Sequence, residues 1–142
     1  MIGYVTLGTN DLERAAGFYD ELLAELGARR YLETESFIAW TVAPGRPALS
    51  LNKPFDGNVA TVGNGVMVAF TVDSPQKVDA IYKKAIDLGA QDEGPPGPRG
   101  KGGFYAAYFR DLDGNKMNVY FMGPRMSAVL DWVKERSRRQ QG

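Results

Sequence analysis

The sequence predicts an α+β fold built from two copies of one strand–helix–strands unit. Tyr4-Val-Thr-Leu-Gly-Thr-Asn-Asp-Leu12 leads a strand into a helix that stops at Leu26-Gly27-Ala28. Met67-Val-Ala-Phe-Thr-Val-Asp-Ser-Pro75 leads a second strand into a helix that stops at Leu88-Gly89-Ala90. Tyr19 and Tyr82 fall at matching places in the two helices, and Pro54–Gly65, rich in Gly and small polar residues, reads as the linker between the copies.

Ile2–Gly8 reads as the first strand. Asn10 followed by Glu13 has the form of a capping box, so Asn10 is the expected cap of the first helix. Leu12, Ala15, Ala16, Tyr19, Leu22, Leu23 and Leu26 then share one helical face, and Gly27 supplies the left-handed stop. Short strands are expected at Arg30–Glu33, Ser36–Val42 and Ala48–Lys53, the last two joined by the Ala43-Pro-Gly-Arg-Pro47 turn.

Val66–Val72 shows the clearest strand alternation, Val66, Val68, Phe70 and Val72 against Met67, Ala69 and Thr71. Asp73 or Ser74 caps the second helix, with Pro75 in its first turn. Val78, Ile81, Tyr82, Ala85 and Ile86 form its buried stripe, and Gly89 ends it. Gly94–Gly103, dense in Gly and Pro, is expected to be irregular, either a spacer or a flap. Phe104–Arg110 and Lys116–Met122 form a hairpin around Asp111-Leu-Asp-Gly-Asn115, where Asp113-Gly114 is a strong turn signal. A terminal helix over Arg125–Arg139 carries Met126, Val129, Leu130 and Val133 on one side, with Trp132 close by. The expected organisation is one domain over 1–142: a first module about 1–53, a linker 54–64, a second module about 65–122 and a helix about 125–139.

Composition bounds the chemistry. Lys plus Arg balance Asp plus Glu at 17 each, so no global field favours nucleic acid or an anionic membrane. With no Cys there is no disulfide, zinc-thiolate site or thiol nucleophile, and with no His there is no imidazole ligand or base. No segment approaches the roughly 20 apolar residues of a membrane span, and the first residues do not have the pattern of a signal peptide. A soluble cytoplasmic protein is the expectation, with no nucleic-acid or membrane partner.

Asn10-Asp11-Leu12, Phe18-Tyr19 and Leu26-Gly27 in the first half carry a resemblance to a known family. Val68-Ala69-Phe70, Tyr82 and Leu88-Gly89 carry it in the second, together with Phe109-Arg-Asp-Leu-Asp-Gly-Asn-Lys-Met117. The pattern resembles the vicinal oxygen chelate superfamily, which includes glyoxalase I, bleomycin-resistance proteins and extradiol dioxygenases. It extends over nearly the whole chain apart from the terminal helix. The resemblance implies paired βαβββ modules whose sheets form a cup, and it favours a homodimer. It also implies metal ligands on the first and last strand of each module, typically His or Gln and Glu. In this chain those positions fall on Tyr4, Ser50, Met67 and Asn118. Hydroxyls, a thioether and a carboxamide supply no charge to offset a dication, so neither a metal nor any other cofactor is expected.

Strand alternation then assigns the cup lining. Tyr4, Thr6, Ser50, Asn52, Met67, Thr71, Asn118 and Tyr120 face inward, and Trp40 and Tyr108, on corresponding strands, pack in the core or stack on a ligand. The expected ligand is a neutral or weakly polar small molecule held by stacking and hydrogen bonds. Arg99 and Lys101 read as solvated loop charges or as a clamp on an anionic substrate at the mouth. Three functional readings stand at this stage. One is a metal-free binding protein. Another is an atypical lyase, isomerase or dioxygenase-type enzyme with Tyr4 as general acid and Asn118 polarising a carbonyl. The third is a non-catalytic interaction module with a filled cup.

Overall fold

The computed structural model describes residues 1–123 and 125–141, and for 125–132 the backbone alone. The elements in chain order are β1 (Tyr4–Gly8), α1 (Leu12–Ala24), β2 (Arg29–Glu33), β3 (Phe37–Thr41) and β4 (Ala48–Asn52). They are followed by β5 (Val68–Thr71), α2 (Pro75–Asp87), β6 (Gln91–Pro98), β7 (Phe104–Arg110), β8 (Lys116–Met122) and α3 (Arg125–Gln140). The strands form two mixed four-stranded sheets, ordered β1-β4-β3-β2 and β5-β8-β7-β6. In each, the leading strand pairs parallel with the last strand of its unit, and the remaining pairs are antiparallel. A parallel pair needs a long crossover, and α1 and α2 supply it, each lying on one face of its own sheet.

The core sits between helices and sheets. Leu22, Leu23 and Tyr19 of α1 meet Leu7, Ile38, Trp40, Leu49 and Leu51, while Val78, Ile81 and Ala85 of α2 meet Ala107, Phe109, Met117 and Val119. Gly27 and Gly89 end the two helices at φ 76° and 105°, the left-handed region that a side chain disfavours. Ser74 caps α2 by accepting from Lys77 N, with Pro75 at its start.

Two local expectations change. The cap of α1 is Asp11, whose Oδ1 accepts from Arg14 N at 3.1 Å. Asn10 is spent elsewhere: its Oδ1 accepts from Ala60 N and its Nδ2 donates to Ala60 O, stitching the linker to the first module. The Gly/Pro segment is a strand over Gln91–Pro98 and turns only beyond it. It is tolerated because β6 is the outer edge, where a proline's missing N–H breaks no inner ladder. Its pairing with β7 shifts register between Asp92 and Gly94 and again between Gly94 and Gly97. The expected stripe of Met126, Val129 and Leu130 on α3, and Trp132 beside it, lies outside the described side chains; Val133 is exposed.

The β7–β8 turn clasps the two units together. Asp111 is buried. Its Oδ2 accepts from Tyr19 Oη at 2.7 Å and from Asn115 Nδ2 at 3.0 Å, and its Oδ1 accepts from Asp113 N and Asn115 N. Asn115 Nδ2 also donates to Gly8 O, and Asn10 N donates to Asp113 Oδ1. Gly114, at φ 87°, makes the reversal possible.

Burial first, then the charge and hydrogen bond of Asp111, push the Tyr19 phenol well above its ordinary value. An unfolded tyrosine ionises near pH ~10. Above that pH the unfolded chain sheds a proton that folded Tyr19 keeps. This contribution to stability is therefore complete below about pH 10 and declines as pH rises, by up to about 1.4 kcal/mol per unit. Tyr19→Phe should cost about 1–3 kcal/mol at neutral pH. In urea titrations at pH 7 and above 10, wild type should lose stability faster than the variant as pH rises, and parallel losses would remove Tyr19 as the cause.

Candidate functional site

Each sheet has one face under its helix and one face away from it. On the first, Thr6, Ser50 and Ala39 are register neighbours, as are Tyr4, Ala48 and Thr41. On the second, Ala69, Asn118 and Tyr108 form one row, and Thr71, Tyr120 and Ala106 the next. The alternation inferred from sequence is thus preserved: Tyr4, Thr6, Ser50, Thr71, Asn118, Tyr120 and Tyr108 all lie on the faces turned away from the helices. Asn52, at the end of β4, pairs with Gly8 and Phe37 in the same set. Met67 precedes β5.

The two small polar side chains at the sheet centres are already engaged. Ser50 is buried, and its Oγ donates to Val5 O at 3.1 Å and lies 2.8 Å from Thr6 Oγ1. With its proton spent, Ser50 accepts from Thr6. Asn118 is also buried, and its Nδ2 donates to Ala107 O at 3.0 Å and Val119 O at 3.3 Å. A carboxamide has two N–H donors, so Asn118 has none left to polarise a carbonyl. By contrast Tyr4 is 64% and Met67 43% exposed.

Trp40 leaves the set. It pairs with Leu49, points under α1, is 2% exposed, and donates from Nε1 to Asp20 Oδ1 at 2.9 Å. Arg30 holds Asp20 from the other side and lies over the indole at 5.8 Å. The Arg30 hydrogen bond is the main reason the Asp20 carboxyl sits below its usual range. Trp40 and Tyr108 do occupy equivalent strands, but the register offsets them by one. Tyr108 opposes Asn118 as Ala39 opposes Ser50, so Tyr108 is open and Trp40 is core.

The outer face of the second sheet carries charge at Lys116 and Arg110 that the sequence reading did not assign, beside Arg99, which it read as a solvated loop charge or a clamp. Lys116 and Arg110 are register partners on it. Lys116 Nζ and the Arg99 guanidinium lie 5.7 and 5.6 Å from the Tyr108 ring. Phe104 and Tyr120 stack at 5.4 Å beside them. Lys116 has the same strand parity as Asn118 and Tyr120, and that was the signal available. The Arg99 guanidinium donates to Pro95 O and Gly97 O and packs closely on the strand, 3.3 and 3.2 Å from where a Cβ on Gly94 or Gly97 would stand. The expected uncharged lining is therefore corrected: half of it is aromatic and cationic.

A hollow of about 510 Å³ opens between β1 and β5, bounded by Val5, Leu49, Met67, Val68 and Phe70. It is the join between the two sheets at their unpaired inner edges.

This duplicated architecture has clear relatives. The family model for the glyoxalase/bleomycin resistance protein/dioxygenase superfamily matches residues 1–119. The chain belongs to that superfamily. Among solved structures, a glyoxalase/bleomycin resistance protein from Albidiferax ferrireducens T118 is 36% identical, covers 87% of this chain and 99% of its own, and superposes with a TM-score of 0.79. Two more distant ones show the shared fold. A lactoylglutathione lyase from Agrobacterium tumefaciens is 23% identical, with 85% and 92% of the chains covered and a TM-score of 0.64. A genomically encoded fosfomycin resistance protein from Listeria monocytogenes is 20% identical, with 87% and 93% covered and a TM-score of 0.66. No curated protein matches the chain significantly.

The superfamily's metal can be tested against the residues present. Two of the four equivalent positions hold neutral side chains already bonded to backbone, Ser50 and Asn118, and the other two hold an exposed phenol and a thioether. Among the described residues no three His, Cys, Asp or Glu side chains converge. This donor set does not fit a zinc, nickel or iron(II) ion, for which the protein must supply imidazole, carboxylate or thiolate.

The separation of Trp40 from the open face has a measurable consequence. Trp40→Phe should lower stability by about 1–3 kcal/mol in urea, through a lost hydrogen bond and core volume. Binding of small molecules to the outer faces should stay within a factor of about two, well under a 1.4 kcal/mol change. A binding defect without a stability defect would return Trp40 to the site.

Proposed function

We propose that this protein captures a small organic molecule on the outer faces of its two sheets and does so without the superfamily's metal. The observation that supports this most directly is the state of the four equivalent positions. Ser50 and Asn118 are neutral side chains that donate to the backbone carbonyls of Val5, Ala107 and Val119, and Tyr4 and Met67 bring neither charge nor imidazole. What these faces do offer is aromatic surface at Tyr4, Tyr108, Tyr120 and Phe104, with hydroxyls at Thr6 and Thr71. That is a binding surface in chemical character, with stacking area and a few hydrogen-bonding groups.

We further infer a homodimer. Ile2, Tyr4, Val66 and Met67 are exposed apolar side chains clustered where β1 and β5 approach, continuous with the hollow between them. An exposed apolar patch of this kind is a common mark of a protein interface. A second copy laid over it would also wall in the outer faces, giving a ligand the enclosure that one chain leaves open.

Elemental analysis of protein purified without chelators tests the first reading. Zinc, nickel, manganese and iron should be far below one per chain, and adding each should leave the thermal midpoint unchanged. Stoichiometric metal with a raised midpoint would overturn it. For the second, sedimentation velocity should give a dimer that Met67→Glu converts to monomer with its circular dichroism intact. A wild-type monomer at micromolar concentration would refute the dimer.

A further inference from the structure

The strongest unassigned feature is the positive charge on the outer face of the second sheet. Arg110 Nε is paired with Glu93 at 2.7 Å, and its Nη1 donates to Gly114 O. Lys116, its register partner, has no carboxylate within ion-pair distance among the described residues, and neither has Arg99. Both cations share the single Tyr108 ring. A ring quadrupole offsets part of a cation's lost hydration and carries no countercharge. The face therefore holds partly buried positive charge without a local countercharge, in a chain whose formal charges sum to zero.

Lys116 and Arg110 also line a hollow of about 450 Å³ with Val62, Asn64, Val66 and Met67. Its far wall is a tight turn in which Val66 N donates to Gly63 O. The turn needs its glycines: Gly65 sits at φ 93°, and a Cβ on Gly63 would lie 2.6 Å from Val66 Cγ2. The hollow is thus a shaped cradle with a lysine and an arginine on one side, and its Lys116 Nζ lies 5.7 Å from the Tyr108 ring.

We propose that the molecule bound on this face is an organic anion, its carboxylate or phosphate group seated between Lys116 and Arg110 against the Gly63–Val66 turn and its planar body on Tyr108. This rests on reading the face as a ligand site and adds the charge class of the ligand. The acid group replaces the missing countercharge of Lys116, and the guanidinium of Arg110 adds directional donors beside those engaged by Glu93 and Gly114. Arg99 contributes field and helps hold Tyr108, since its guanidinium is committed to the β6 backbone.

Benzoate and benzamide differ in charge and little in shape, so together they separate the anion claim from the site claim. Titrated into isotopically labelled protein, benzoate should shift the backbone amides of Gly63, Gly65, Tyr108 and Lys116 and bind more tightly than benzamide. That preference should fade as sodium chloride is raised. Inorganic phosphate should shift the Gly65 and Lys116 amides without those of Tyr108, and whichever acid group binds more tightly assigns the ligand's own. Lys116→Gln should weaken benzoate about fivefold, the upper end for a partly exposed charge pair, and leave benzamide unchanged, while Lys116→Arg should keep benzoate binding. Equal binding of benzoate and benzamide would overturn the anion claim and leave the ligand site standing. Shifts from neither probe on either outer face would overturn both.

Discussion

The structure turns on one buried carboxylate. Asp111 sits at the tip of the β7–β8 hairpin, where the second unit reaches the first, and it cannot remain there ionised without donors. Tyr19, Asn115 and two backbone amides of its own turn supply them. Because the Tyr19 hydroxyl comes from α1, satisfying Asp111 also fixes where the first helix lies relative to the second sheet. The bonds from Asn115 to Gly8 and from Asn10 to Asp113 then hold the end of β1 against the same turn. With the hairpin tip and the end of β1 held together, the first unit is tied to the second at this turn.

The outer faces of the two sheets have neutral centres. Here Ser50 and Asn118 turn back to the backbone, so the sheet centres are sealed with neutral hydrogen bonds. Two residues before Asn118 on the same strand, and on the same face, stands the positively charged Lys116. The positive charge of Lys116 opposes the approach of a cation to this face.

Most of the architecture is legible from local rules. Period-two alternation identifies which residues of β1, β5 and β8 share a face, and the two glycine stops bound the helices. What escapes is set by partners distant in sequence. Asn10 has the composition of a helix cap, yet Ala60, fifty residues away, claims its side chain and Asp11 caps instead. Trp40 and Tyr108 stand on equivalent strands, but a single-residue register difference separates core from surface, and register is not visible without knowing the opposing strand. The Gly/Pro segment reads as irregular because local propensity says so; only its place at a sheet edge makes a strand affordable. Lys116 was within reach of alternation and needed only to be counted with its neighbours.

The duplicated tyrosines have diverged in what they hold. Tyr82 donates to Asp92, inside its own unit, whereas Tyr19 donates across to Asp111. The two halves are therefore alike in outline and unequal in self-sufficiency. Severed at the linker, the first would carry an orphaned phenol on its helix and the second a carboxylate stripped of its strongest outside donor. Each half thus leans on a group the other supplies, and the symmetry between them is one of shape only.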